Sequence, residues 1–149
     1  MRLSTRGRYG ARVMLELALR NKDGAVSIKD IADSQDISAK YLVQIIASLK
    51  AAGLVVSVRG SGGGYLLARP PSRITLGEVI RTLEGSIAPV HCVDNLEACP
   101  RTGFCVIHNV WTQMKDAIDK IIDSLDLGKM VRRHNKKKRN ARSTMKSIK

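Results

Sequence analysis

The chain contains no apolar run approaching the about 18 residues that mark a membrane span. Its first residues, MRLSTRGRYG, lack the apolar middle of a secretory signal. A soluble, cytoplasmic protein with no membrane partner is expected. Cysteine is scarce: there are 3, all between Cys92 and Cys105. An odd count leaves one unpaired, and in a reducing compartment three cysteines point to ligands or reactive thiols rather than a disulfide framework. Acid is scarce too, with 13 Asp and Glu against 26 Lys and Arg. The stretch from Lys129 to Lys149 holds ten of those cations and no acid at all, which leaves 16 cations against 13 acids, a net +3, for residues 1–128.

A mildly basic body with a polycationic tail points first to nucleic acid, because neutralising phosphates releases counterions. Like charges in a block repel, so the tail, 128–149, is expected to be disordered; a merely solvated end would look the same. The 149 residues suffice for one domain with a real core and an appended element.

What is present reads as mainly α with a small β-hairpin. In RYGARVMLELALRNKDG, Tyr9, Val13, Met14 and Leu17 share one helical face, which stops at Asn21 to Gly24. Ser27, with Asp30 three residues on, opens a short second helix over 28–34. Ser38 opens a third, whose Leu42, Ile45, Ile46 and Leu49 form a buried stripe and which Gly53 ends. Helix, short helix, turn, helix is the layout of a helix-turn-helix. Two β-favouring runs, 54–58 and 65–68, flank RGSGGG and form a hairpin, the wing of a winged helix. The glycine run is not a P-loop, since no Lys-Ser or Lys-Thr follows it, and Tyr65 stands where the last glycine of a dinucleotide fingerprint belongs. A fourth helix from Thr75 packs through Leu76, Val79, Ile80 and Leu83 and closes at Gly85. A long helix begins near Cys105, with Ile107, Trp111, Met114, Ile118, Ile121 and Leu125 in steps of four and three. That seam suits either packing on its own domain or a homodimer; the homodimer is favoured, because a helix-turn-helix reads two half-sites by twofold symmetry.

The expected organisation is a winged helix-turn-helix DNA-binding domain over 1–86, a cysteine-rich loop over 87–104, a dimerisation helix over 105–127 and the basic tail. Contacts to double-stranded DNA must come from the third helix opposite its buried stripe: Ser38, Lys40, Tyr41, Gln44 and Ser48. Gln44 can pair with an adenine edge, while Ser38 and Tyr41 reach phosphates or bases. Arg59, Gly60 and Ser61 form the wing tip, small enough to approach a groove and carrying one cation.

The cysteine stretch, HCVDNLEACPRTGFCVIH, has the spacing Cys92-x6-Cys99-x5-Cys105-x2-His108. Gathered thiolates suit zinc, copper(I) or an iron–sulfur cluster. Structural zinc pairs its cysteines in closer knuckles, so a larger inorganic core fits the wide first two gaps better. A histidine ligand would raise the cluster's potential and make the site pH-sensitive.

Taken together, these residues resemble the IscR-type iron–sulfur cluster regulators, a bacterial winged-helix family that also includes NsrR-type and CymR-type repressors. The resemblance rests on MRLSTRGRYG, ISAKYLVQIIASLKAAGLV, SVRGSGGGYLLARP, ITLGEVI and the three cysteines with CVIHNVW, and covers residues 1–127. It implies a 2Fe–2S cluster on Cys92, Cys99, Cys105 and His108, DNA contacts from Tyr41, Gln44 and the Arg59 wing, and dimerisation through the long helix. Members that sense nitric oxide use an acidic ligand near the N-terminus; Arg8 stands at that position here. The gap between Cys92 and Cys99 is one residue longer than in IscR, so His91 is a second candidate for the fourth ligand. Val43 stands where related regulators carry an acidic residue.

The function expected is a transcription factor, probing a palindromic operator as a homodimer and sensing cluster, iron or redox status to control genes such as those for iron–sulfur assembly. A metal-independent thiol-redox or cysteine-metabolism repressor of the same fold is the alternative, and structural zinc a further one. An enzyme is not expected: Cys105 and His108 could pair as nucleophile and base, but no orienting third group or substrate-binding motif accompanies them, and no small-molecule substrate is implied.

Overall fold

A computed structural model describes residues 3–147. Helix α1 spans Thr5–Leu19, with the Ser4 hydroxyl accepting from the Gly7 amide at 3.1 Å. Helix α2, Ile28–Gln35, is capped in the same way by Ser27, and it ends where Asp36 takes a left-handed conformation with φ 53°. Helix α3, Ala39–Ala51, is capped by Ser38. Its C-terminus closes with Gly53 at φ +69°. There the Gly53 and Leu54 amides donate to the carbonyls of Lys50 and Leu49, both at 2.9 Å. That is the paired closure a glycine makes possible.

Strands β1, Val55–Val58, and β2, Gly64–Leu67, pair antiparallel in the register Val55↔Leu67 to Val58↔Gly64. Val26 adds a bridge to Tyr65 on the outer edge. Between the strands Gly60 sits at φ +108°, a conformation most side chains avoid. The hairpin therefore turns sharply at its tip. Helix α4, Leu76–Glu84, starts in a reciprocal capping box between Thr75 and Glu78. The cysteine stretch forms a four-residue helix α5, His91–Asp94, and two 3-10 turns, Leu96–Ala98 and Thr102–Phe104. Helices α6, Val106–Asp123, and α7, Leu127–Ser147, follow.

The core gathers Val13, Met14 and Leu17 of α1, Ile31 of α2, the Leu42, Ile45, Ile46 and Leu49 stripe of α3, Leu54, Val55 and Leu67 of the hairpin, and Val79 and Leu83 of α4. Burying each such large side chain contributes about 1.5–3 kcal/mol. Helices α1 and α4 cross so closely at Gly10 that an added Cβ would overlap Leu83 Cδ1.

Two expectations change here. The basic tail is not disordered: 127–147 is helical, because Leu127 is fully buried and Met130 and Val131 pack against the core. The tail's last two positions, 148–149, lie outside the described residues. Charge had masked that apolar anchor. The seam of α6 also divides. Ile118 joins Ile122, Leu3, Leu76, Ile80 and Ile87 around an apolar pocket of about 90 Å³ between α4 and α6. Ile107, Val110, Met114 and Ile121 remain exposed.

The segment after α6 runs antiparallel across the start of α4. The Leu76 amide donates to the Leu125 carbonyl at 2.8 Å and the Leu127 amide to the Ile74 carbonyl at 2.9 Å. Asp126 then caps α7, its carboxylate accepting from the Lys129 amide at 2.7 Å. Among the described residues no helix is long and apolar enough to cross a membrane.

Candidate nucleic-acid interface and cysteine loop

Because α3 buries its apolar stripe completely, the opposite face is presented outward. Ser38, Lys40, Val43, Gln44 and Ala47 are exposed there. The Ser38 oxygen is already the cap of α3, accepting from the Tyr41 amide at 3.3 Å, so its O–H and one lone pair remain for a further partner. Tyr41 is half-buried, with its ring edge-on to Tyr9 at 6.0 Å. Arg12 lies 5.5 Å from the Tyr9 ring and also bonds Gln35, which ties α1 to α2. Arg59, Gly60 and Ser61 are all exposed at the wing tip. Between wing and helix lies an open groove of about 390 Å³, lined by Val43, Ile46, Ala47, Lys50, Ala51 and Tyr65.

Three further residues belong to this surface. Arg6 donates to the Ser48 hydroxyl, which brings a cation of α1 beside α3. Lys50 Nζ donates to the Ser57 hydroxyl at 3.0 Å and joins the end of α3 to the hairpin. Val43, 52% exposed, is the apolar residue at the centre of the face. The one sequence signal for Arg6 is its place one turn before Gly10, the position at which α1 meets Ile45 of α3.

The cysteine loop is built differently. Cys92 lies in α5, Cys99 follows the first 3-10 turn, and Cys105 precedes α6; all three are half-buried free thiols. His108 stands in the first turn of α6, its amide bonded to the Cys105 carbonyl at 3.1 Å. Its Nε2 lies 3.1 Å from the Cys92 carbonyl oxygen, so that nitrogen donates in the matching tautomer. His91 is exposed. Ser86 bonds Asp94, tying α5 back toward α4. Three thiols and an imidazole within one loop are a donor set of the right type for an iron–sulfur cluster. Among the described residues, however, no three His, Cys, Asp or Glu side chains are gathered to hold a metal ion. Holding one would require these side chains to come together.

Helix α6 is clamped to α4 by charge. Arg81 donates to Asp119 at 2.8 Å and also bonds Asp123, while Lys115 donates to Asp119 at 2.7 Å. The Lys115 hydrogen bond, with the Arg81 charge behind it, holds the Asp119 carboxyl below the usual range although burial opposes this. Asp123 in turn raises the Arg81 guanidinium.

A helix-turn-helix followed at once by a two-stranded wing, with an outward polar helix face beside it, defines a winged-helix transcriptional regulator. The Rrf2 family model, described as an iron-dependent transcriptional regulator, matches residues 3–133. The chain belongs to that family, and it is a regulator rather than an enzyme. The transcriptional regulator CymR of Bacillus subtilis is 41% identical over 127 residues, 85% of this chain and 87% of its own. The solved structure of that CymR, described as the global cysteine regulator, aligns with a TM-score of 0.74 at 39% identity, covering 88% of this chain and 96% of that one. The regulator IscR of Yersinia pseudotuberculosis is 38% identical over 131 residues, 88% of this chain and 79% of its own. The T. potens IscR structure aligns with a TM-score of 0.75 at 41% identity, covering 90% and 88%.

Proposed function

We propose that this regulator binds a palindromic operator as a homodimer and that its cysteine loop senses cluster, iron or redox status through a 2Fe–2S group. The reading rests on one observation: the exposed face of α3, with Lys40 and Gln44, stands beside a sharply turned wing carrying Arg59. Ser38, Lys40, Tyr41 and Gln44 enter the major groove, and Arg59, Gly60 and Ser61 follow the adjacent backbone or minor groove. Tyr41, braced by Tyr9, offers only its outer edge. Residues 1–86 form the reading domain, 87–104 the sensing loop and 105–127 the dimerisation helix. The exposed Ile107, Val110, Met114 and Ile121 stripe supplies the seam for a second copy. Such a protein works in the cytoplasm, where the chromosome is.

Cys92, Cys99, Cys105 and His108 would hold the cluster, which supplies one-electron redox chemistry and lability to oxidants when bound. His108 could ligate through Nδ1 while its Nε2–H stays on the Cys92 carbonyl, a bond that would fix the ring's orientation. The loop's state then reaches the reading domain through α6, because Arg81 of α4 holds Asp119 and Asp123. By likeness to IscR, the targets are genes for iron–sulfur assembly.

A second reading has its own support. The thiols are free, part-exposed and ungathered, and the likeness to CymR is as strong as that to IscR. Here the same residues form a metal-independent thiol switch. Iron and acid-labile sulfide per chain, measured on oxygen-free protein, separate the two. About two of each, falling in His108→Ala, supports the cluster; neither, with three titratable thiols, leaves the switch. For DNA reading, Gln44→Ala should cost about 1–3 kcal/mol on a duplex selected from a random pool, and relax one base preference. Equal loss on scrambled DNA would remove base readout by Gln44.

A further inference from the structure

Helix α7 is an unusual surface element. Its first turn is anchored by Leu127, Met130 and Val131, but every residue from Arg132 to Thr144 is exposed. That stretch carries Arg133, Lys136, Lys137, Lys138, Arg139 and Arg142, and 127–147 contains no acid. A helix that is polar all round normally relies on opposite charges three or four residues apart. Here those spacings join like charges: Arg133 with Lys136 and Lys137, Lys138 with Arg142, and Arg139 with Arg142. The ion pair at its base is Lys129 with Asp126 at 3.4 Å; among the described residues, none joins a carboxylate to the cations from Arg133 to Arg142. The helix therefore carries repulsion that a polyanion would relieve.

The geometry points to an external polyanion, and we propose that α7 is a sequence-independent DNA-backbone arm, binding phosphates outside the segment that α3 reads. The proposal rests on the DNA-binding reading above for the choice of polyanion. Two features favour duplex DNA. The body carries only +3 of the net +13, so the chain's excess of positive over negative charge is concentrated in this one segment. The base of α7 is also fixed to the folded domain by the Ile74–Leu127 and Leu76–Leu125 hydrogen bonds. A fixed arm next to a bound duplex meets phosphates at high effective concentration. The helix from Arg132 to Ser147 is roughly 24 Å long at 1.5 Å per residue, comparable with about seven base pairs of duplex.

The test compares the full chain with a variant carrying Lys136→Gln, Lys137→Gln, Lys138→Gln, Arg139→Gln and Arg142→Gln. Binding to a random-sequence duplex of about 40 base pairs is followed by fluorescence anisotropy across sodium chloride concentrations. Unfolding curves verify that the variant is folded, since the substituted side chains are exposed. The variant's plot of log affinity against log salt should be shallower by up to about 4.5, near 0.9 for each of the five phosphates left without a cation. Affinity should fall by the same factor on any duplex sequence. An unchanged slope and affinity would overturn the proposal. So would unchanged DNA binding with lost binding to phosphatidylglycerol vesicles, which would assign the helix to a lipid surface. A wild type that prefers no sequence, yet still shows the slope difference, would sink operator reading by α3 and leave the arm standing.

Discussion

Arg81 of α4 and Asp119 of α6 are joined by a 2.8 Å charged hydrogen bond, and the same guanidinium also holds Asp123 one turn further on. The contact connects the helix that carries His108 to the helix that packs against α1. As a stability element it is modest: the Arg81 side chain is 40% exposed and Asp119 23%, so solvent screens the pair to about 1 kcal/mol at most. In the proposed function its role is that of a mechanical joint. In Arg81→Gln, thermal unfolding should change little, while DNA affinity should stop responding to the chemical state of the cysteine loop. The ratio of affinities between loop-oxidised and loop-reduced protein measures this directly. A ratio equal to wild type would exclude Arg81 as the route.

Gly10 is expected to be intolerant of substitution. Gly10→Ala gains up to about 1 kcal/mol of helix propensity, but its Cβ would overlap Leu83 Cδ1 and lie 3.5 Å from Ile45 Cγ2. Overpacking of this kind costs about 1–3 kcal/mol and should lower the urea midpoint. Gly103→Ala is the control, since nothing lies within 4 Å of the added carbon. Equal midpoints for the two variants would mean that α1 and α4 are not closely crossed at Gly10.

Stability should depend on acid in a defined direction. At Glu78 burial pushes the carboxyl up, but the Thr75 amide and the Arg69 guanidinium outweigh it and hold it low. At Asp126 burial is likewise outweighed by the Lys129 amide, and Asp119 is held low by Lys115. A carboxyl depressed in the folded state stabilises fully above its unfolded value, near pH 4, and loses that contribution as pH falls through the folded value. Unfolding free energy from these groups should therefore be flat from pH 7 to about 5 and decline below about 4. Glu78→Gln should flatten part of that decline, measured by urea unfolding at each pH. An undiminished decline would assign the acid sensitivity elsewhere.

Much of the reading domain is legible in the sequence because its signals are local. Ser27 and Ser38 are caps, Leu42, Ile45, Ile46 and Leu49 recur at helical spacing, and RGSGGG must turn. Each is decided within a few residues. What escaped the sequence depends on distant partners. Arg6 reaches Ser48 across 42 positions. Tyr41, which looks like a free contact residue on a helical wheel, is half occupied by Tyr9. Ile118 and Ile121 belong to one seam by spacing, yet one faces α4 and the other solvent, since that division depends on where α4 lies. In α7 a long run of cations concealed three apolar residues of its first turn, which suffice to seat the helix. The cysteine spacing shows which donor groups the loop carries but not the direction of its side chains.

The unequal attachment of α6 makes it a cantilever. Its far half, from Lys115 to Asp123, is clamped to α4, and the segment beyond is stitched to Ile74 and Leu76. Its near half, from Val106 to Met114, extends roughly 13 Å toward the cysteine loop at 1.5 Å per residue. A displacement of about 2 Å at that free end, the size of ordinary helix shifts, tilts the beam by about 9° about its clamp. In a twofold pair whose seam lies along this beam, both tilts act at once and in opposite senses. In the proposed function, small chemistry at the tip would thereby become an angle between two reading heads, and an angle is what a fixed half-site spacing can accept or refuse.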